Sequence, residues 1–161
     1  MKLIGAVLLA LALSLGLAAP VAAGPYEDAG AAYERGDYAT ALLLLRPLAD
    51  QGVAKAQYQL AEMYLLGEGF PPDDAQALKW YLMSAGRDFP HAQFALGFIY
   101  MNAIGVAKDY VQALKWFRLC ERHVGFAYSA GKNADLITPK MTPPQITEAQ
   151  KLASEWNPKI Q

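Results

Sequence analysis

AKAQYQLAEMYLLGEGFPPDDAQALKWY at residues 54–81 is followed by PHAQFALGFIYMNAIGVAKDYVQALKWF at residues 90–117, an offset of 36. Eleven positions are identical: Ala56/Ala92, Gln57/Gln93, Leu60/Leu96, Tyr64/Tyr100, Gly69/Gly105, Asp73/Asp109, Gln76/Gln112, Ala77/Ala113, Leu78/Leu114, Lys79/Lys115 and Trp80/Trp116. A fixed period of this length marks a stacked repeat, in which each unit buries its apolar face only against its neighbours. Ala56, Leu60 and Tyr64 stand at i, i+4 and i+8 and so share one helix face. Gly67-Glu68-Gly69 ends that helix, Pro71-Pro72 forbids its continuation, and Asp73 caps the next, which runs from Asp74 to Ala85. Each copy therefore reads as a helix hairpin. Ala61 and Gly97 are the small residues that let its two helices approach closely.

The register extends backwards. Asp37, Ala41 and Leu42 lie 36 residues before Asp73, Ala77 and Leu78, so a degenerate first repeat with a tight Gly36-Asp37 turn precedes the two clear ones. Forwards, Phe126 to about Ile137 reads as a seventh helix. Gln145 to Trp156 reads as a last amphipathic helix, with Ile146, Ala149, Leu152, Ala153 and Trp156 inward and Glu148, Lys151, Ser154 and Glu155 outward. The expected organisation is a helical domain over 24–161, with repeats at about 25–53, 54–89 and 90–125 and a C-terminal cap over 126–161. The fold class is all-α, a solenoid of antiparallel helix hairpins.

Residues 1–23 have the three-part layout of a cleaved signal peptide: Met1-Lys2, an uncharged apolar run from Leu3 to Leu17, and Val21-Ala22-Ala23 before the cut. The run is shorter than the ~20 residues of a membrane span. Export, with the periplasm or the exterior as destination and no stable membrane insertion after cleavage, is the expectation. Without Lys2 the chain has one basic residue fewer than its 14, against 15 acidic ones. That balance gives no electrostatic reason to expect nucleic acid. Cys120 is the only cysteine, which excludes an internal disulfide framework, and its helical setting makes it a small packed residue.

Residues 54–125 resemble the Sel-one-like repeat, a branch of the tetratricopeptide superfamily. The match in the first copy is carried by Ala54, Ala56, Gln57, Leu60, Tyr64, Gly67, Gly69, Asp73, Ala77, Trp80 and Tyr81. In the second it is carried by Ala92, Gln93, Leu96, Gly97, Tyr100, Gly105, Val106, Asp109, Ala113, Trp116 and Phe117. Two departures stand out. Asp88 replaces the turn glycine found at Gly52, and Ala103 replaces the first loop glycine, which should stiffen or extend its helix. The resemblance implies a right-handed solenoid serving as a protein-interaction scaffold. Some exported, cysteine-rich relatives have penicillin-related activity; with a single cysteine, this chain departs from their disulfide-per-repeat pattern.

No Walker loop, GxSxG elbow, HExxH or CxxC is present. Asp37, Asp73 and Asp109 are accounted for as caps. His91 and His123 are too far apart in sequence to form a helical metal pair. The tryptophans and tyrosines at repeat spacing read as core, and Lys79 and Lys115 as solvated. No catalytic residue, cofactor or metal ligand is assigned. In tetratricopeptide-like stacks the first helices line the concave face, which makes Lys55, Tyr58, Glu62, Leu65 and Leu66, with His91, Phe94, Phe98, Met101 and Asn102, the candidate partner-binding residues. The Phe94–Phe98 stripe is either that groove or core closed over by the seventh helix and the cap. The leading function is an adaptor for a protein or peptide. A cell-envelope hydrolase or ligand-binding protein, and a secreted host-contact protein, are the alternatives.

Overall fold

The computed structural model describes residues 24–158, so the leader expected over 1–23 lies outside the described residues. Eight α-helices follow one another with no strand among the described residues: α1 Pro25–Glu34, α2 Tyr38–Asp50, α3 Ala54–Leu66, α4 Asp74–Ala85, α5 Pro90–Asn102, α6 Tyr110–Cys120, α7 Ala127–Ile137 and α8 Pro143–Ser154. Each helix from α2 to α7 packs on the one before it, and α8 returns onto α6. This is an all-α helical repeat solenoid.

The chemistry of the turns makes the repeats alike. Asp37, Asp73 and Asp109 each accept a hydrogen bond from the backbone N–H three residues on, at 3.1, 2.9 and 3.0 Å. One of the bare amides at each helix start is thereby satisfied. The loop is pinned identically in both clear repeats: Asp73 N–H donates to Tyr64 O at 2.9 Å, and Asp109 N–H to Tyr100 O at 3.0 Å.

Both glycine departures keep the left-handed backbone of the residue they replace. Asp88 has φ 62 where Gly52 has φ 89. Its carboxylate accepts from Gln93 Nε2 at 2.8 Å, in the place where Gln57 Nε2 reaches Ala49 O at 2.9 Å. Ala103 does not lengthen its helix, which has 13 residues, as α3 does. It caps α5 at φ 60, as Gly67 caps α3 at φ 73. The conformation costs an alanine on the order of 1 kcal/mol. It is accommodated because the neighbour differs: a Cβ at Gly67 would stand 2.7 Å from the Pro72 ring, whereas Lys108 holds the place of Pro72 in the third repeat.

One buried cluster runs through α1 to α6 around Leu45, Leu60, Tyr81, Leu96 and Trp116. A second gathers Leu114, Phe117 and Cys120 of α6 with Ala130, Ala134 and Ile137 of α7 and Ala149 of α8. Cys120 is buried as expected, its thiol 3.4 Å from Pro90 O and pushed up to about 12, chiefly by burial. The last helix corrects two readings. It starts at Pro143 and not Gln145, because both prolines fit its first turn, where no intrahelical N–H is needed, and Thr142 and Gln145 form a capping box. It also ends at Ser154, so Trp156 lies beyond it, edge-on to Trp116 at 5.0 Å.

Candidate functional site

The first helices present one side chain per turn along one face, half-buried against the core, and the aromatic ones join into a continuous seam. Lys55 of α3 sits over the Tyr26 ring at 3.8 Å and 3.4 Å from Glu27. Next along the stack, the Tyr58 ring lies 5.8 Å from Tyr81 and 5.6 Å from both Phe89 and His91. His91 stacks on Phe89 at 5.0 Å and meets Phe126 edge-on at 4.7 Å. Phe126 lies 5.9 Å from Phe94, which lies 5.2 Å from Phe98. Such pairs are favourable beyond their buried area, so the seam is a fixed surface.

The expected residues divide into two sets. Tyr58, His91, Phe94 and Phe98 meet in the seam, and Glu62 lies beside it. Leu65 packs into the core beneath, and Met101 joins the C-terminal cluster. Asn102 spends its amide on Phe98 O at 3.1 Å. Leu66 is 58% exposed. The Phe94–Phe98 stripe is also divided. Phe126 at the start of α7 and Phe117 of α6 close over Phe94, while Phe98 remains 37% exposed.

Sequence reasoning missed Phe89, Phe126 and Tyr81 as seam members. Phe89 is the residue before α5 and could have been found by register, since it takes the place of Val53. Phe126 has no repeat counterpart to mark it. Lys115 also departs from expectation. It lies against Trp116 at 4.3 Å and Trp156 at 4.7 Å instead of extending into solvent, and burial lowers its pKa.

Glu62 accepts a hydrogen bond from the Tyr81 hydroxyl and forms no ion pair among the described residues. Burial, then the Glu62 carboxylate, pushes Tyr58 up to about 12 and raises Tyr81 further. Tyr33, which donates to Glu68 at 2.6 Å, is raised for the same reasons. These hydroxyls stay protonated in the folded chain where an unfolded tyrosine ionises near 10. Their contribution to stability is therefore complete below that value and lost as pH rises toward 12. The urea midpoint is expected to fall steadily between about pH 9.5 and 11.5, and Tyr81→Phe should flatten that fall. A midpoint that stays level across the range would contradict the arrangement.

Among the described residues no group of three or more His, Cys, Asp or Glu side chains is placed to hold a metal ion. His123 lies 3.4 Å from Asp88. No described helix is long and apolar enough to cross a membrane.

Residues 54–88 and 90–119 match the Sel1 repeat. The chain carries two Sel1 repeats in tandem. Its fold is similar to that of a protective antigen of uropathogenic Escherichia coli with an SLR fold, at 26% identity and a TM-score of 0.75 over 82% of this chain and 29% of that one. A Sel1 repeat protein from Oxalobacter formigenes has the same fold at 24% identity and a TM-score of 0.64, over 82% of this chain and 56% of that one. The chain thus spans less than two thirds of either. No curated protein is significantly similar to it. Sel1 repeat proteins are generally protein-interaction scaffolds and typically non-catalytic.

Proposed function

We propose that this Sel1 repeat protein is an exported, non-catalytic adaptor that receives a peptide or protein segment on the face of its first helices. The observation that carries the reading is the aromatic seam from Tyr58 through His91 and Phe94 to Phe98, with Leu66 and Phe98 left open at 58% and 37%. Exposed apolar side chains standing on a rigid aromatic surface are what a partner's apolar side chains need. Export rests on the charge, run length and small-residue cut site of residues 1–23.

Phe98→Asp is expected to abolish partner capture with little change in melting, because the Phe98 ring is part-exposed and a carboxylate there can reach water. The measurement is site-specific photo-crosslinking in the exporting cell. A photoreactive residue at position 66 should give a discrete adduct that disappears in the Phe98→Asp background, and one at the exposed Glu148 position should give none. An adduct that survives Phe98→Asp at wild-type melting temperature would place the partner elsewhere.

A further inference from the structure

A second concavity lies away from the seam, between the C-terminal end of α4 and the chain that follows α8. It encloses about 430 Å³, and Gln57, Leu82, Met83, Arg87, Trp156 and Asn157 line it. That size is ordinary for a small-ligand site. Leu82 and Met83 are each 39% exposed there. Gln57 is fully buried, and with its Nε2 donated to Ala49 O its Oε1 has no hydrogen-bond partner. Arg87 forms no ion pair among the described residues.

The third repeat shows what this face of a second helix accepts. One repeat on, α8 packs against α6, and Leu119, the counterpart of Met83, is 1% exposed. Arg122, the counterpart of Gly86, donates from Nη2 to the carbonyl oxygen of Ala153 at 2.7 Å. So in that repeat the C-terminal turn of a helix lies on the apolar face, and a guanidinium donates to one of its carbonyl oxygens. Gln93 has the same unpartnered Oε1 as Gln57, but the adjoining face of α6 is already covered. In the second repeat the apolar face, the guanidinium and the bare acceptor are all present and the cleft is open.

We propose that this cleft binds the free carboxyl end of an acylated apolar amino acid. The carboxylate pairs with the Arg87 guanidinium, whose fork matches it in a bidentate contact. The amide N–H is directed at Gln57 Oε1, and the apolar side chain lies against Leu82, Met83 and the Trp156 indole. The same chemistry is offered by the C-terminus of a polypeptide and by a small N-acyl amino acid.

The test follows the three indole N–H signals of the chain by ¹H–¹⁵N spectroscopy, with the Trp156 signal identified through Trp156→Phe. The ligands are acetyl-Ala-Ala-Leu with a free carboxylate, the same peptide as its C-terminal amide, and N-acetyl-leucine. A saturable shift of the Trp156 signal is expected with the acid, at least tenfold weaker with the amide. Arg87→Gln should weaken the acid at least tenfold, and Arg87→Lys should recover part of it. A tripeptide that binds better than N-acetyl-leucine assigns the cleft to polypeptide ends, and equal binding assigns it to the small molecule. Equal affinity for acid and amide, no saturation up to millimolar ligand, or an unchanged Arg87→Gln at wild-type melting temperature would overturn the proposal. Phe98→Asp should leave this binding intact, which separates it from the adaptor surface.

Discussion

Replacing Trp116 by alanine is expected to lower the free energy of unfolding by about 3–5 kcal/mol, the range for a large aromatic removed from a core. Trp116 is 1% exposed, and its ring joins two parts of the molecule. On one side it belongs to the cluster that runs through α1 to α6; on the other it meets Trp156 and, with it, flanks the Lys115 ammonium. Removing the ring leaves a void that the helices cannot close without moving α8, and it takes away the surface on which Trp156 rests. For a chain of this length the loss corresponds to a fall in Tm on the order of 10 °C. Trp156→Ala removes only the half-buried partner and should cost clearly less, so the ordering of the two variants in urea denaturation checks the account. If Trp156→Ala costs as much as Trp116→Ala, the anchor of the C-terminal segment lies in Trp156 and the core role assigned to Trp116 is wrong.

What the sequence made legible was whatever is set within a few residues. The helix expected over 54–66 and that expected over 74–85 begin and end at those residues, because Gly67, Pro71-Pro72 and Asp73 each act on their own turn. Burial of Ala56, Leu60, Ala77 and Trp80 followed from the same periodicity. Readings failed where the deciding contact came from far along the chain. Lys115 looks solvated on its own helix and is covered only because Trp156 returns to it. Ala103 looks like a helix former, and its left-handed backbone is imposed by a loop whose far end is tied to Tyr100 O. The candidate surface shows the same division. Tyr58, His91, Phe94 and Phe98 could be placed on one face by spacing, but that Phe126 would cover Phe94 and leave Phe98 open depends on how α7 leaves α6. No local signal carries that. Pro143-Pro144 is a different kind of miss: the sequence contains the capping box that makes the prolines a helix start, yet the expected helix begins only at Gln145.

Gly97→Ala is expected to destabilise the chain by about 1–3 kcal/mol, although alanine is the better helix former by roughly 1 kcal/mol. Gly97 lies in the middle of α5 with no turn to make and an ordinary right-handed backbone, so conformational freedom does not explain it. Space does. A Cβ at this position would come to 2.6 Å from Cδ1 of Phe117 and as close to the rest of that ring edge. Phe117 is fully buried and held on its other faces by Phe94 and Phe98, so it cannot swing away cheaply. The second repeat provides the control, because Ala61 occupies the same position, fully buried, where Tyr81 replaces Phe117. The two repeats are thus alike in sequence but differ in the space left at this position. Ala61→Gly should cost no more than the loss of a buried methyl and of helix propensity. In the double variant Gly97→Ala with Phe117→Leu, the smaller side chain should relieve part of the overpacking, so that the pair costs less than the two single changes added together. Strictly additive costs in urea denaturation would show that Phe117 is not what excludes a side chain at position 97.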